Sequence, residues 1–388
     1  MKYLMGGYYG MRNVGDDVLL YVTIGEVNRL DRNAAFTVIS SVPLVTPPGG
    51  RVAVRARGRV SGLFRNDVWL FGGGGLLQDR SPRSLQAIER LGHLTWLAKL
   101  VGCKVVLLAI GVGPLVTTEG KNASRRVLQQ ADFLTVRDQQ SAELALKLCP
   151  RSAPAVTDDL AFLLPRLLPV PPPRGGKAIS SKVLGVSLLE YSAMALGRKG
   201  SGNSRAAETV GDALNDMLGR HRNWSVNLFE FFSGSPFYGD ARVLRTLQDR
   251  IRFADRVSYC SYEGDFRRVY QELSQCDALL GMRFHSCLLA YLIGLPFVMI
   301  NYHPKCASLA TRLQLPEGAV MPLAELAEAG RVKARLEALI EAPERFRSPV
   351  PPSSRTAESL GNVTLLADWL RTWGRDAAAD LGSHSKTV

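Results

Sequence analysis

Short apolar runs alternate along the chain with longer segments in which apolar residues recur every three or four positions. The first pattern is typical of buried β-strands and the second of amphipathic helices. The clearest helical segment covers residues 84–101, where the spaced apolar positions are Leu85, Ile88, Leu91, Leu94 and Leu97. Repeated strand–helix units of this kind are typical of parallel sheets that are covered by helices.

In the first half of the chain, the pattern predicts strands at Lys2–Met5, Ala35–Ser40, Asp67–Phe71, Lys104–Ile110 and Phe133–Val136. The helices predicted there are Asp17–Leu30, Ser84–Val101 and Ser141–Leu148. In the second half, the predicted strands are Val183–Leu188, Trp224–Phe229, Ala278–Gly281 and Pro296–Asn301. The predicted helices are Ala206–Leu218, Ala241–Phe253, Phe266–Gln275, Ser286–Ile293, Val332–Ile340 and Ala357–Trp373.

A proline- and glycine-rich segment separates the two halves, and its composition cannot sustain a helix or a central strand. At 388 residues the chain also exceeds the size at which one hydrophobic core usually stops growing. We therefore predict an α/β fold of two Rossmann-like domains that face each other across a cleft. The expected parts are an N-terminal domain (1–165), a linker (166–180), a C-terminal domain (181–350) and a C-terminal helix with a polar tail (351–388).

Three glycine-rich segments follow predicted strands of the first half: residues 6–15, 72–75 and 111–113. Ligands of such sheets bind beyond the carboxyl ends of the strands, where glycines let a ligand approach the backbone. The first segment leads into a helix, and Asp16 or Asp17 is a plausible N-cap. Its spacing matches neither a dinucleotide fingerprint nor a Walker A loop. A shared cleft floor is the functional interpretation of the three loops, and tight packing alone is the structural one.

Cationic side chains occupy the carboxyl ends of further strands. Arg137 follows residues 133–136, Arg283 and His285 follow residues 278–281, and Lys305 follows the next strand along the chain. We expect Arg283, His285 and Lys305 to converge on one side of the cleft, opposite Arg137. Such a site suits an anion with more than one negative group, because guanidinium and ammonium groups bind carboxylates and phosphates strongly. The simpler alternatives are a surface ion pair for Arg137 and a structural role for His285.

Asp158 and Asp159 form a lone carboxylate pair without a DxD spacing or partner histidines. We expect a capping or cleft-polar role for this pair and no metal site. The sequence also shows no Ser/His/Asp order and no cysteine within a recognisable nucleophile signature.

The formal net charge of +13, from 48 Lys and Arg against 35 Asp and Glu, favours anionic partners. The densest basic run comprises Arg51, Arg55, Arg57, Arg59 and Arg65. A solvated face is its simpler interpretation, and a patch for a membrane surface or an anionic acceptor is the alternative. We find no helix-turn-helix, no RNP-like motif and no basic stripe with interleaved aromatics, so we expect no nucleic-acid partner.

The six cysteines show no CxxC pair, which suits a reducing cytosol better than a disulfide framework. No cleavable signal opens the sequence, because the first five residues run directly into glycines. The longest apolar stretch, Leu94–Val116, is interrupted by Lys99 and Lys104. We therefore expect a cytoplasmic protein, with peripheral contact at the inner face of the plasma membrane as an option.

Seven segments, taken in order, resemble the polysaccharide pyruvyl transferase family and together run from residue 6 to about residue 306. They are Gly7–Gly10 with Asn13 and Gly15–Asp17, Gly72–Gly75, Gly111–Gly113, Val136–Asp138 with Ser141, Thr157–Phe162, Gly281–Ser286 and Tyr302–Lys305. One segment departs from the family pattern, because Asp158-Asp159-Leu160 stands where Asp-Pro or a similar pair is expected.

The resemblance implies a GT-B-like fold, with the C-terminal helix crossing back onto the N-terminal domain. It implies phosphoenolpyruvate as co-substrate without a further cofactor, and a sugar of a cell-surface glycan, often lipid-linked, as acceptor. The product is then a pyruvate ketal on two sugar hydroxyls, and phosphate is released. The family's essential basic residues map onto Arg137, His285 and Lys305. The substrate-binding positions that we expect beside them are Gly7, Asn13, Asp16, Gly73, Gly74, Gly111, Gly113, Arg283, Ser286 and Tyr302.

Two other functions share parts of this pattern. A GT-B glycosyltransferase that uses a nucleotide sugar has the same architecture, although the sequence shows no Glu-rich ribose-binding motif in its second half. A non-catalytic protein that binds anionic glycans at the membrane would account for the positive charge without requiring His285.

Overall fold

The computed structural model describes residues 1–172, 181–189, 202–235 and 239–384 of the protein. The predicted linker over residues 166–180 therefore lies partly outside the described residues, from residue 173 onward. A 3₁₀ helix, Leu160–Arg166, includes Pro165 and ends at the first residue of this linker. The last four residues of the predicted polar tail, 385–388, also lie outside the described residues.

The first half of the chain forms a seven-stranded, fully parallel sheet of order β3-β2-β1-β4-β5-β6-β7. Its strands are β1 (Lys2–Gly6), β2 (Ala35–Ile39), β3 (Arg51–Arg55), β4 (Val68–Gly72), β5 (Lys104–Ile110), β6 (Phe133–Val136) and β7 (Ala155–Val156). The helices of this half are α1 (Val14–Leu30), α2 (Arg59–Leu63), α3 (Pro82–Leu100), α4 (Thr118–Gln130) and α5 (Gln139–Leu148).

The second half forms a six-stranded, fully parallel sheet of order β10-β9-β8-β11-β12-β13. Its strands are β8 (Lys182–Ser187), β9 (Trp224–Phe229), β10 (Val257–Cys260), β11 (Ala278–Gly281), β12 (Phe297–Asn301) and β13 (Val320–Pro322). The helices are α6 (Gly202–Arg220), α7 (Ala241–Arg250), α8 (Phe266–Ser274), α9 (Phe284–Ile293), α10 (Pro304–Arg312), α11 (Ala329–Glu341) and α12 (Pro352–His384).

Both sheets have the strand order 3-2-1-4-5-6 when each is counted from its own first strand, and the first sheet adds β7 at one edge. This is the Rossmann order, and it confirms the predicted α/β fold with two Rossmann-like units. In each sheet the order reverses between the first and fourth strands, which places a crevice beyond β1 and β4 and another beyond β8 and β11.

Helix α12 packs back onto the first half of the chain. Asn362 lies at the centre of this contact: its Nδ2 donates to the carbonyl of Asp158 at 2.9 Å, and its Oδ1 accepts from Thr135 at 2.5 Å and Thr157 at 2.7 Å. Trp369 packs against Phe133, with ring centroids 5.8 Å apart and the ring planes tilted by 51°. The last helix of the chain therefore completes the packing of the first sheet.

All six cysteines are buried and none forms a disulfide bond. Within the part of the chain that the structure describes, no helix combines the length and the apolar character that crossing a bilayer requires.

Candidate active site

The three glycine-rich loops meet at the carboxyl ends of β1, β4 and β5. Gly74 accepts a hydrogen bond from the amide of Gly111 at 2.8 Å, and Leu77 accepts one from the amide of Gly113 at 2.6 Å. Gly73 and Gly74 have φ angles of +77° and +81°, a left-handed backbone that favours glycine. These loops are thus packed on one another, and the amides of Gly111 and Gly113 are used within the loops.

The loop after β1 is held from both sides. The Tyr9 hydroxyl accepts from the amide of Gly72 at 3.1 Å, so the ends of β1 and β4 are connected. Gly7 lies directly against the Tyr9 ring, because a Cβ at Gly7 would come within 2.5 Å of it. The expected position of Gly7 in the cleft floor therefore also has a packing role.

Helix α1 begins at Val14, and Asn13 is its N-cap, because the Asn13 Oδ1 accepts from the amide of Gly15 at 3.0 Å. The prediction of Asp16 or Asp17 as the cap was wrong, because both residues lie inside the first turn. Asp17 instead accepts from the Gly10 amide at 3.1 Å. The side-chain oxygen of Asn13, which we expected to bind substrate, is committed to the helix end.

Arg137, at the end of β6, lies in a buried ion-pair cluster. Its Nη1 is 3.2 Å from Asp159 Oδ2 and its Nε is 3.4 Å from Asp138 Oδ2. A Cβ at Gly111 would come within 2.8 Å of the guanidinium, so the glycine creates the space that Arg137 occupies. The guanidinium carbon also lies 5.1 Å from the centre of the Phe284 ring, which belongs to the second half of the chain.

His285 reaches from the first turn of α9 to the opposite half. A Cβ at Gly15 would lie 1.9 Å from His285 Nδ1, so the imidazole rests on the start of α1. Its Nε2 is 3.8 Å from Asp159 Oδ1, which is ion-pair distance but too long for a hydrogen bond. Burial lowers the pKa of His285, and Asp159 partly opposes this effect. Burial would raise the pKa of Asp159, but its interactions with His285 and Arg137 bring it well below its usual range.

Lys305, in the first turn of α10, completes the group of cations. Its Nζ lies 5.5 Å from the centre of the Phe284 ring and 5.8 Å from that of Tyr302. The Lys305 ammonium forms no ion pair with any described residue, unlike the guanidinium of Arg137. Burial, together with the positive charge of Arg137, lowers the pKa of Lys305 to about 8.

Asp16 is the acidic residue that faces these cations. Its Oδ1 lies 3.4 Å from the position that a Cβ of Gly74 would occupy, so the carboxyl stands over the glycine loop after β4. Burial and the negative charge of Asp17 raise the pKa of Asp16 to about 7, although Lys305 and Arg137 oppose this shift. A carboxyl group in this state exchanges its proton near neutral pH.

Arg283 lies near Lys305, as expected, since its charge helps to lower the pKa of Lys305, but its guanidinium and the Ser286 hydroxyl have partners of their own. Arg283 forms a bidentate ion pair with the buried Asp240, to which both its Nε and its Nη2 donate, and the Nε lies 3.0 Å from Asp240 Oδ1. Asp240 also accepts from the amides of Phe231 and Phe232, so Arg283 holds the loop after β9. The Ser286 hydroxyl is fully buried and donates to the Arg283 carbonyl at 2.7 Å. The Arg283 guanidinium and the Ser286 hydroxyl are therefore both engaged by groups of the second half of the chain.

The structure brings together Arg137, His285, Lys305 and Asp16, and adds residues that sequence reasoning missed. Asp159 joins Arg137 to His285, and the Phe284 ring is contacted by both Arg137 and Lys305. The sequence signal for Asp159 was its place in the adjacent carboxylates Asp158 and Asp159. The fold determines which residues these carboxylates contact. Phe284 gave no signal of its own, because an aromatic residue beside a histidine is common in a core.

His303 also lies at the edge of the site. Its Nδ1 accepts from the amide of Lys305 at 3.1 Å, so it caps α10. Burial and the charge of Lys305 lower the pKa of His303 to about 3, which keeps the ring neutral.

Asp158 and Asp159 have separate tasks. Asp159 caps the 3₁₀ helix through the amide of Ala161 at 3.0 Å, in addition to its cleft contacts. Asp158 is buried and pairs with Arg312 of α10 and Arg355 of α12, the latter at 3.3 Å. Among the residues that the structure describes, no three His, Cys, Asp or Glu side chains are grouped so as to hold a metal ion.

Comparison of the fold with solved structures gives GT-B-like enzymes of low sequence identity. UDP-GlcNAc 2-epimerase from Neisseria meningitidis has a TM-score of 0.58 at 11% identity, covering 96% of this chain and 100% of that one. Sucrose-phosphate synthase from Thermosynechococcus elongatus has a TM-score of 0.51 at 11% identity, covering 98% and 99%. These likenesses concern the fold alone.

Sequence comparison is more specific. The amylovoran biosynthesis protein AmsJ of Erwinia amylovora is 24% identical over 280 residues, which are 70% of this chain and 66% of the relative. The match thus spans just under two thirds of the relative's length. The family model described as polysaccharide pyruvyl transferase matches residues 13–304. These matches confirm the resemblance found in the sequence, and the chain belongs to the polysaccharide pyruvyl transferase family.

Proposed function

We propose that the protein transfers the enolpyruvyl group of phosphoenolpyruvate onto two hydroxyls of a glycan sugar, forms a pyruvate ketal and releases phosphate. The observation that carries this proposal is the meeting of the two halves at one point. Arg137 and His285 come from different sheets and share Asp159, and Lys305 lies on the same Phe284 ring as Arg137.

The donor carries a carboxylate and a phosphate, and two cations suit these two groups. Arg137 has a planar guanidinium, which can bind an anion through two parallel hydrogen bonds. Lys305 has a compact ammonium group that forms no ion pair with a described carboxylate. The Phe284 ring lies against both cations. Arg137 keeps its two carboxylate neighbours, whereas Lys305 has no carboxylate partner among the described residues. We assign Arg137 and Lys305 to the anionic groups of the donor, with no further cofactor.

Ketal formation needs one proton at C3 of the donor and the loss of one proton from each of two hydroxyls. His285, neutral near pH 7, takes the proton of the first hydroxyl as its oxygen bonds to C2, and Asp16 delivers a proton to C3. The second hydroxyl then bonds to C2 as the bond from C2 to the phosphate oxygen breaks. Its proton returns to Asp16, and the departing phosphate receives the proton held by His285.

Asp159 is the positioning residue in this scheme. It is fully buried, lies 3.8 Å from His285 Nε2 and is held by Arg137 at 3.2 Å. A carboxylate kept ionised at this place stabilises the imidazolium that forms when His285 accepts a proton. The positive charge that forms on His285 during the reaction is therefore stabilised by the fixed carboxylate of Asp159.

The acceptor that we propose is a sugar of a cell-surface glycan, carried on a lipid and modified at two hydroxyls such as O4 and O6. The family description names a polysaccharide, and the relative from Erwinia amylovora is named for the biosynthesis of amylovoran. Both support a role in polysaccharide biosynthesis. As part of the proposal, we assign the reaction to the cytoplasmic side of the membrane.

The decisive variant is His285→Ala. We expect it to reduce phosphate release from phosphoenolpyruvate by roughly a hundred- to ten-thousandfold, as loss of a general acid or base does, with donor binding nearly unchanged. Turnover would be followed as inorganic phosphate and binding by calorimetry. The matched control is His93→Ala, an exposed histidine on α3, which should leave both quantities as they are. Equal loss of binding and turnover in His285→Ala would contradict the acid–base role.

One mixing experiment separates the three functions considered for this chain. Phosphate release from phosphoenolpyruvate that depends on a lipid-diphosphate oligosaccharide supports the proposal, and a product mass increased by the ketal confirms its chemistry. Turnover of a nucleotide sugar with no phosphoenolpyruvate consumption would assign a glycosyltransferase instead. Anion or glycan binding without any turnover would assign a binding protein.

A further inference from the structure

A cationic groove lies at the edge of the first sheet that is formed by β3. The groove has a volume of about 470 Å³ and runs between α2 and the exposed face of β2 and β3. Four positively charged side chains line it: Lys2, Arg51, Arg55 and Arg65. Arg51 and Arg55 alternate with Val52 and Val54 along β3, which puts both arginines on one face of the strand.

These four cations carry charge that no neighbour cancels. None of them forms an ion pair with a described residue, in contrast to the arginines of the active site. Asp67 is the acidic residue that lines the adjoining groove, and its carboxylate accepts the backbone amide of Lys2 at 2.8 Å. Arg57 lies between β3 and α2 in sequence and Arg59 is the first residue of α2, so both add to the same region.

Large apolar side chains stand beside the cations. A second groove, of about 580 Å³, shares Lys2 and Arg65 with the first and is lined by Phe64 and Val101. Phe64 is 64% exposed, and on α3 Leu100 is 63% and Trp96 is 56% exposed. Because Trp96 and Leu100 are four residues apart on a helix, they project on the same side. We call this surface, with its grooves and these three apolar side chains, the docking face.

The docking face is separate from the active site. Lys2 and Arg51 begin their strands, and Arg55 ends β3 at the outer edge of the first sheet. Four strands, β2, β1, β4 and β5, lie between β3 and the strand β6 that leads to Arg137. A ligand of the docking face therefore does not compete with the donor for the same cations.

We propose that the docking face binds the surface of an anionic phospholipid bilayer, an interaction that goes beyond the catalytic proposal and does not depend on it. Cations near an anionic leaflet are attracted to it, and aromatic and aliphatic side chains insert at the headgroup boundary. The combination of unpaired arginines with an exposed Trp, Phe and Leu fits this boundary. A second copy of the chain fits poorly, because two docking faces would bring eight groove cations together.

The test uses the purified chain and vesicles of phosphatidylcholine with or without one quarter phosphatidylglycerol, followed by flotation. We expect binding to the anionic vesicles alone, and a steep decline between low and high salt. The triple variant R51E/R55E/R65E should bind at least about a hundredfold more weakly, since each cation near such a surface contributes about fivefold. The matched control R222E/R242E/R252E changes three exposed arginines of the second half and should bind as the parent does.

The apolar contribution has its own variant. Phe64→Ser together with Trp96→Ser should lower binding at high salt, where charge attraction is screened, while Val116→Ser, which is equally exposed, should not. Phosphate release with a water-soluble acceptor should be unchanged in all these variants, which separates a failure of docking from a failure of the catalytic proposal. Equal binding to neutral vesicles, equal loss in the two triple variants, or preference for a nucleic-acid duplex over anionic vesicles would overturn the assignment.

Discussion

The arginines of the active site and those of the docking face carry the same charge in opposite surroundings. Arg137 is buried and lies within ion-pair distance of two carboxylates, and Arg283 is held by the buried Asp240. Arg51, Arg55 and Arg65 are exposed and lack an acidic partner among the described residues. Breaking a buried ion pair lowers the stability of the fold, because one buried charge is left without a partner. Removing an exposed charge changes the stability little. The first region is therefore fixed in geometry, and the second is free to meet a partner.

Among the substitutions that test this comparison, Arg137→Ala should have the largest effect on turnover and stability. It removes a donor-binding fork and leaves the buried Asp159 without that cation, so we expect turnover to fall roughly a hundred- to a thousandfold. The free energy of unfolding should fall by about 3–5 kcal/mol. Phosphate-release kinetics and urea unfolding measure the two effects. Arg137→Lys keeps the charge without the fork and should restore stability more than turnover, and Arg222→Ala is the exposed control.

Gly15→Ala should come next. The added Cβ would lie 1.9 Å from His285 Nδ1, so the imidazole must leave its present position beside Gly15 and Asp159. A misplacement of about 1 Å costs about a hundredfold in rate. Gly330→Ala is the matched control, because nothing lies within 4 Å of the position of its new Cβ. Unchanged kcat in Gly15→Ala would show that the placement of His285 is not needed for turnover.

A pH effect on donor binding should be smaller. The pKa of Lys305 is about 8, so the ammonium that binds the donor is present below this pH and is lost as pH rises through it. We expect the Kd for phosphoenolpyruvate to rise up to about tenfold per pH unit above pH 8, because one proton is lost. Calorimetric titration from pH 6.5 to 9.5 measures it. In Lys305→Arg the Kd should stay flat over that range, since arginine keeps its charge.

The smallest effect on stability is expected at the docking face. R51E/R55E/R65E should leave the free energy of unfolding within about 0.5 kcal/mol per site, as exposed substitutions usually do. Arg312→Ala breaks the pair with the buried Asp158 and should cost about 3–5 kcal/mol. Urea unfolding of the two variants side by side measures the contrast. A large loss in the exposed variant would show that these arginines hold the sheet edge together.

The elements that were predicted correctly from the sequence are those whose local pattern is strong. β5, β6, β9 and β11 have the predicted bounds, because each is an apolar run closed by turn residues. The prediction missed the four short strands β3, β7, β10 and β13, the five-residue helix α2, and also α4, which is mostly polar on its surface. Their structure is fixed by contact with neighbouring elements rather than by their own composition.

The same limit applies to the site. The positions of Arg137, His285 and Lys305 could be predicted, because each residue follows a strand that the sequence pattern identifies and lies at or near the start of the next helix. The pairing of Arg283 with Asp240, 43 residues away, could not be predicted, because only the packed loop after β9 brings them together. Ser286 follows the same rule: its burial depends on α9 lying against β11, which no local pattern reports.

The return of α12 to the first sheet has a consequence for the order in which the protein becomes structured during synthesis. Thr135 contacts Asn362, which is 227 positions further along the chain, and Asp158 contacts Arg355, which is 197 positions further. The half that leaves the ribosome first therefore holds the Asp158 carboxylate without its cation partners, Arg312 and Arg355, until the helices that carry them have been translated. Nascent chains halted before residue 355 should engage chaperones through this unfinished half, even though its sheet is already complete in sequence.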